Sequence, residues 1–249
     1  MKNAPVVIRP DWTVPANVRA LVTTRQGGFS QPPFDAFNLG DHVGDTAETV
    51  ARNRAVLRQM LPGEPLWLSQ VHGRAVVDAD VTRGVPEADA SVARAPGRVC
   101  AVMTADCLPV LFCDDEGSVV AAAHAGWRGL VGGVLEATIA QMAVAPARLR
   151  AWLGPAIGPR CFEVGDEVRD AFMHQDPGAV IAFEPTGAPG KWMANLFALA
   201  QRRLQAAGVD RVEGGGVCTV TDHARFYSYR RDGRTGRFAT LIWLEPVRV

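Results

Sequence analysis

At 249 residues, with 48% hydrophobic and 21% charged side chains, the chain is long enough for one large globular domain or two small ones, and nothing in its composition marks disorder. Twenty-six basic residues balance twenty-six acidic ones, so no net field draws the protein onto nucleic acid or a lipid surface, and a small-molecule partner is expected. No apolar run approaches the roughly 18 residues of a membrane span. No signal-peptide core follows Met1 to Pro5, and five cysteines without a C-x-x-C pair exclude a disulfide framework or a zinc ribbon. These features together predict a reduced, cytoplasmic protein.

Taken in order, Val18 to Thr23 reads as a strand, and TTRQGGFS places Arg25 and the pair Gly27-Gly28 at its exit. A polar loop through Asn38, Asp41 and His42 leads to Asp45-Thr-Ala-Glu48, an acidic capping box that predicts a helix to about Leu61 with Val50, Leu57 and Leu61 buried. Arg54 falls on that buried stripe. A guanidinium carried toward a core needs an anion, either an internal carboxylate or a substrate phosphate or carboxylate. Leu66 to Val71 reads as a strand with His72 at its end and Gly73 at the turn, and EADASV starts another near Asp89.

The segment Val99 to Gly129 concentrates polar chemistry in an apolar setting. Its short apolar runs, Val99–Met103, Leu108–Phe112 and Ser118–Ala123, read as buried strands. A hairpin centred between Asp115 and Glu116 pairs Cys113 with Ser118 and Cys107 with His124, on one face with Cβ atoms roughly 4.5–5.5 Å apart. A thiol and an imidazole so placed can share a metal ion or exchange a proton; the plainer alternative is a buried free cysteine beside a core histidine. With His72 they make a His2Cys set, the ligand count of a catalytic zinc site with an open fourth position.

The glycine-rich AGWRGLVGG opens a helix whose apolar positions, Leu130, Val134, Leu135, Ile139 and Met142, recur at helical spacing, with Arg128 near its start. Further along come a strand at Leu149 to Leu153, an Asp166-capped helix, a proline-glycine loop from Pro185 to Gly190, and a helix from Leu196 to Leu204 stopped by Gly208. ARFYSYRRDGRTGRFATLIWL predicts a hairpin about Asp232-Gly233. Most of its arginines are expected in solvent, with one or two, Arg230 among the candidates, facing inward toward a phosphate or carboxylate.

QVHG, TADCLPVLF, HAGWRGL, LGPAIG and FYSYRRDGRTGR, in this order, closely resemble the bacterial polyphenol-oxidase or laccase-domain family, whose members have been reassigned as zinc-dependent purine nucleoside phosphorylases with adenosine deaminase activity. The likeness runs from TTRQGGFS to the final strand and implies a single domain over 1–249. It implies an α/β fold, a sandwich of mixed sheets flanked by helices and similar to the catalytic domain of the cytotoxic necrotizing factor toxins. It further implies zinc held by His72, Cys107 and His124, and adenosine, inosine or methylthioadenosine as substrates beside inorganic phosphate. Asp106 and Asp89 are the candidate proton carriers for deamination, and Arg25, Asn38, Arg54 and Arg230 the candidate substrate-binding residues. Five histidines with no His-x-His repeat cannot build a multicopper oxidase, though a single adventitious copper in the His2Cys site would oxidise phenols weakly. The competing reading is a metal-free amidase in which His124 activates Cys107.

Overall fold

The computed structural model describes residues 4–246. Strands β1 (Val7–Ile8), β2 (Val18–Thr23), β3 (Pro65–Leu66), β6 (Val99–Thr104) and β14 (Phe238–Leu244) form one mixed sheet in the order β1-β2-β14-β6-β3. A second mixed sheet, in the order β13-β9-β7-β8-β5-β4, is built from β4 (Val76–Asp78), β5 (Ala90–Ala93), β7 (Leu108–Asp114), β8 (Val120–Ala125), β9 (Leu149–Leu153) and β13 (Arg211–Gly214). A small antiparallel sheet joins β10 (Glu163–Gly165), β12 (Lys191–Ala194) and β11 (Phe183–Pro185).

The central strands are apolar throughout because both of their faces are covered. On β7, Leu111 and Cys113 enter the core shared with Val102 of β6 and Ile242 of β14. Val110 and Phe112, offset by one residue, turn to the opposite face, against Leu135 and Ile139 of α3 (Val134–Met142) and Leu199 of α5 (Leu196–Ala206). Val99, Ala101 and Met103 of β6 likewise face outward, onto Leu57 of α1 (Ala47–Arg58). Two mixed sheets therefore share an inner core and carry helices on their outer faces, the layered α/β arrangement expected. Among the described residues no helix is long and apolar enough to cross a membrane.

Several local expectations are corrected. The β7–β8 hairpin pairs Cys113 with Val120 and Pro109 with His124, a register two residues away from the one expected. Asp114 sets it: its carboxylate accepts from Ser118 N, Ser118 Oγ and Val119 N at 2.7, 2.7 and 3.1 Å, drawing the turn one residue later. A slip of two keeps every side chain on its face, so Cys107 and His124 stay on the same side as diagonal neighbours. The helix after His124 breaks at Gly133, whose φ of 93° separates α2 (Trp127–Gly132) from α3. The N-cap of α1 is Thr46, and the helix ends before Leu61; Asp45 instead binds Ser30 and Asn38. Asp166 is the first residue of α4 (Asp166–Gln175), with Gly165 at the cap position. No hairpin forms about Asp232-Gly233. The backbone N–H of Arg231 caps onto Ser228, giving the short α6 (Tyr229–Asp232), and β14 pairs with β2 and β6. The strand expected over Leu66 to Val71 shortens to β3 and a bridge from Ser69 to Glu87, because the Gln70 side chain, not its backbone, bonds Met103 N and O, each at 2.8 Å.

Candidate metal centre and its cavity

The chain leaves the first sheet at Thr104 and enters the second at Leu108, so Ala105 to Cys107 must reverse it between layers. Asp106 takes the strain of that passage with φ at 98°. Its carboxylate accepts from Thr219 Oγ1 at 2.6 Å and from Arg230 N at 2.7 Å, and its carbonyl accepts from Ile157 N at 2.8 Å. Both carboxylate oxygens help to fix the turn that carries Cys107, and Asp106 also borders the cavity that Cys107 lines.

His72 arrives from a separate segment, also with a left-handed backbone (φ 60°). What holds it there is Asp89, a buried carboxylate that accepts the N–H groups of Val71, His72 and Gly73 at 3.3, 3.0 and 2.7 Å. Asp89 Oδ1 also lies 2.8 Å from His124 Nδ1. With Nδ1 so engaged, His124 presents Nε2 to the cavity. Burial opposes ionisation of Asp89, yet the bonds from His124, Gly73 and Val71 keep its carboxyl below the usual range. Asp89, once a candidate proton carrier, is closed off behind His124.

The donor atoms of His72, Cys107 and His124 lie within 4.8 Å of one another, with Cys107 Sγ 3.7 Å from His72 Nε2. Tetrahedral zinc with N and S bonds of 2.0–2.3 Å needs neighbouring donors about 3.6 Å apart. The set therefore fits a divalent ion in spacing and in donor type. Burial pushes the Cys107 thiol up, but the adjacent His124 and His72 outweigh it and hold the thiol below its ordinary range, favouring the thiolate that binds metal. Burial alone depresses His124, and the Cys107 thiolate and Asp89 raise it.

Gly126 is what lets the ligands approach: a Cβ there would sit 2.9 Å from both Cys107 Sγ and His72 Cδ2. Gly126→Ala is expected to lower metal affinity about tenfold or more with little loss of folded protein, because the displaced atoms are the ligands themselves. A competition titration with a chromophoric chelator checks this; unchanged affinity would refute it.

The three donors border a cavity of about 540 Å³, within the range of small-ligand sites. Trp127, Phe162 and Tyr229 give it flat apolar walls, and Arg128, Arg230 and Arg237 give it positive charge. Of the residues expected to bind substrate, Arg230 borders this space. Arg25 does not; it pairs with Asp35 and lies over Tyr227. Arg54 meets a carboxylate of the protein itself, the exposed Asp41, at 3.2 Å and stacks on Trp67. Asn38 is fully buried, with both amide atoms bonded to protein. Sequence reasoning missed His42 as a cavity residue and, among the arginines before the last strand of which one or two were expected inward, did not single out Arg237. For Arg237 the available signal was its place at the start of the final buried strand.

A family model described as "Multi-copper polyphenol oxidoreductase laccase" matches residues 19–245. The chain is 58% identical over 238 residues to a purine nucleoside phosphorylase of Pseudomonas aeruginosa, covering 96% of this chain and 98% of that one. It is 52% identical over 244 residues to purine nucleoside phosphorylase YfiH of Escherichia coli, with the same coverage. Among solved structures, a Neisseria meningitidis protein superposes with a TM-score of 0.93 at 53% identity, covering 96% of this chain and 99% of that one. YlmD of Geobacillus stearothermophilus gives 0.86 at 32% identity, covering 93% of each.

Proposed function

The chain belongs to the family described as multi-copper polyphenol oxidoreductase laccase, and from that premise we propose that it is a zinc-dependent purine nucleoside phosphorylase that also deaminates adenosine. The observation that carries this reading is one cavity in which a His2Cys donor set meets flat aromatic walls and a cationic lining. A purine suits the walls and a phosphate suits the cations. The identity to relatives named purine nucleoside phosphorylase supports the same chemistry. The multicopper description fits the donors poorly: of five histidines, only His72 and His124 join Cys107, and among the described residues no second donor cluster of that kind is present.

In phosphorolysis an oxygen of phosphate bonds to ribose C1′ as the C1′–N9 bond breaks. The electron pair leaves on the purine, and the proton given up by phosphate balances the one the base takes. His72, Cys107 and His124 would hold the metal, which when bound supplies Lewis-acid charge and acidifies water. Phe162 and Tyr229 are assigned to the base, and the arginines to developing and resident negative charge. Asp106 and Asp89 act by fixing Cys107, His72 and His124, not by carrying the proton of deamination.

The thiolate-favouring environment of Cys107 also favours a second reading, a metal-free amidase like the cytotoxic necrotizing factor catalytic domain, with Cys107 as nucleophile and His124 as its base. Incubation with inosine and with adenosine, with and without phosphate, tests the first reading. Hypoxanthine and ribose 1-phosphate are expected from inosine only when phosphate is present, and inosine together with adenine from adenosine. Release of no base and no inosine would reject it.

A further inference from the structure

The loop before α1 and the segment before β14 are tied together by one side chain. Asn38 Oδ1 accepts from Gly40 N at 2.9 Å and from Arg237 N at 2.8 Å, while its Nδ2 donates to Gly40 O and Asp45 Oδ2, each at 3.0 Å. Leu39 N closes the junction by donating to Arg237 O at 3.1 Å. At Gly40 a Cβ would lie 2.8 Å from Arg237 Cγ, so the missing side chain is the space through which the Arg237 stem passes. The construction brings His42 and Arg237 to the same stretch of cavity wall.

Asp41 goes to Arg54, its Oδ2 lying 3.2 Å from Arg54 Nη2, and its Oδ1 lies 3.5 Å from His42 Nδ1. Arg237 is left with the carbonyls of Thr235 and Gly236, 3.1 and 3.0 Å from Nη1. Among the described residues no carboxylate comes within ion-pair reach of it. A half-buried guanidinium with no contact ion pair, favoured only by the more distant charges of Cys107 and Asp106, keeps an unmet demand for an anion. Arg230 and Arg128 are weaker claimants, since both are exposed; Arg230 Nη1 already donates to Glu163 O, and Arg128 lies over Trp127.

We infer that Arg237 and His42 form the inorganic-phosphate subsite of this cavity, an assignment that rests on the phosphorolysis reading above and names the residues it needs. The Arg237 fork supplies paired donors to two phosphate oxygens, and His42, oriented through Nδ1 by Asp41, offers Nε2 to a third. Burial and the Arg237 charge hold His42 below its ordinary pKa against the opposing pull of Asp41, so the imidazole is neutral and exchanges a hydrogen bond without adding charge. Arg54, Arg237 and Asp41 are the charged groups that face it.

The test is calorimetric titration of inorganic phosphate into the metal-loaded protein, paired with inosine phosphorolysis at varied phosphate. Arg237→Gln is expected to weaken phosphate binding and raise the KM for phosphate by about ten- to a hundredfold, with the KM for inosine moving less than about twofold. Arg237→Lys, which keeps the charge and loses the fork, should fall between, and His42→Gln, on an exposed loop with little risk to folding, should cost several-fold. Phosphate bound as tightly by Arg237→Gln as by the parent, or lost instead in Arg230→Gln, overturns the subsite. Phosphate binding that depends on Arg237 in a protein releasing no free base sustains the subsite and rejects phosphorolysis.

Discussion

Cys107→Ser is expected to abolish metal binding and to reduce phosphorolysis by roughly a thousandfold or more, while the protein stays folded. The loss follows from what the thiolate supplies. It is the anionic donor of the set, and serine, un-ionised at neutral pH, replaces a strong ligand by a weak one. A metal that stabilises transition-state charge contributes several kcal/mol, and each 1.4 kcal/mol is about a factor of ten in rate. Folding is spared because Cys107 lines the cavity and belongs to neither inner core. The same variant would inactivate a cysteine amidase, so His72→Ala separates the readings. His72 Nε2 lies 3.7 Å from the thiol, while the buried series of Cys107, His124 and Asp89 is complete without it. A metal enzyme loses its ion and its activity in His72→Ala; a thiol nucleophile keeps most of its rate. Elemental analysis of the parent should give about one zinc per chain, and alkylation of Cys107 should be fast only after the metal is stripped. Full activity in stripped protein would discard the metal reading.

The layers of this molecule were legible because the strands announce themselves. Val18–Thr23 and Leu149–Leu153 fall where the apolar runs placed them, each mostly buried and interrupted by a single arginine that does not blur its limits. The convergence of Cys107 with His124 was legible for a sturdier reason: it depends on strand parity, and parity survived the two-residue slip that Asp114 imposes. His72 was joined to them by ligand count and by the family resemblance, not by spacing, because a residue held by a buried carboxylate from another segment leaves no mark in spacing. The arginines were left open for a related reason. Arg54 sat on a buried helical stripe and so needed an anion, either a carboxylate of the protein or a substrate, and Asp41, in the preceding loop, is near enough to supply the first. Arg237 was one of five arginines of which one or two were expected inward, and the Asn38 lock that turns its segment inward is not visible in local pattern. Local pattern reports which face a side chain occupies; it does not report which partner reaches that face first.

Asp89→Asn is expected to cost about 3–5 kcal/mol of stability and to lower metal affinity by about ten- to a hundredfold, a double effect that no single ligand substitution should reproduce. The carboxylate stands between two of the three ligands, with one oxygen shared by His124 Nδ1 and His72 N and the other taken by Gly73 N and Val71 N. An amide can accept on one side only. Its NH2 must face either the imidazole or the turn, leaving buried donors opposed and the left-handed backbone of His72 without the bonds that hold it. If the amide oxygen stays with His124, the His72 turn relaxes and that ligand swings away; if it stays with the turn, His124 loses the partner that fixes its ring and directs Nε2 at the ion. Both outcomes weaken the centre, and both unpair a network with no solvent to replace the missing acceptor. Urea unfolding of metal-free protein isolates the first effect, and chelator competition on the folded protein isolates the second. A variant as stable as its parent that still binds metal equally well would show that Asp89 merely neighbours the centre, and that some other contact sets the approach of His72 to His124.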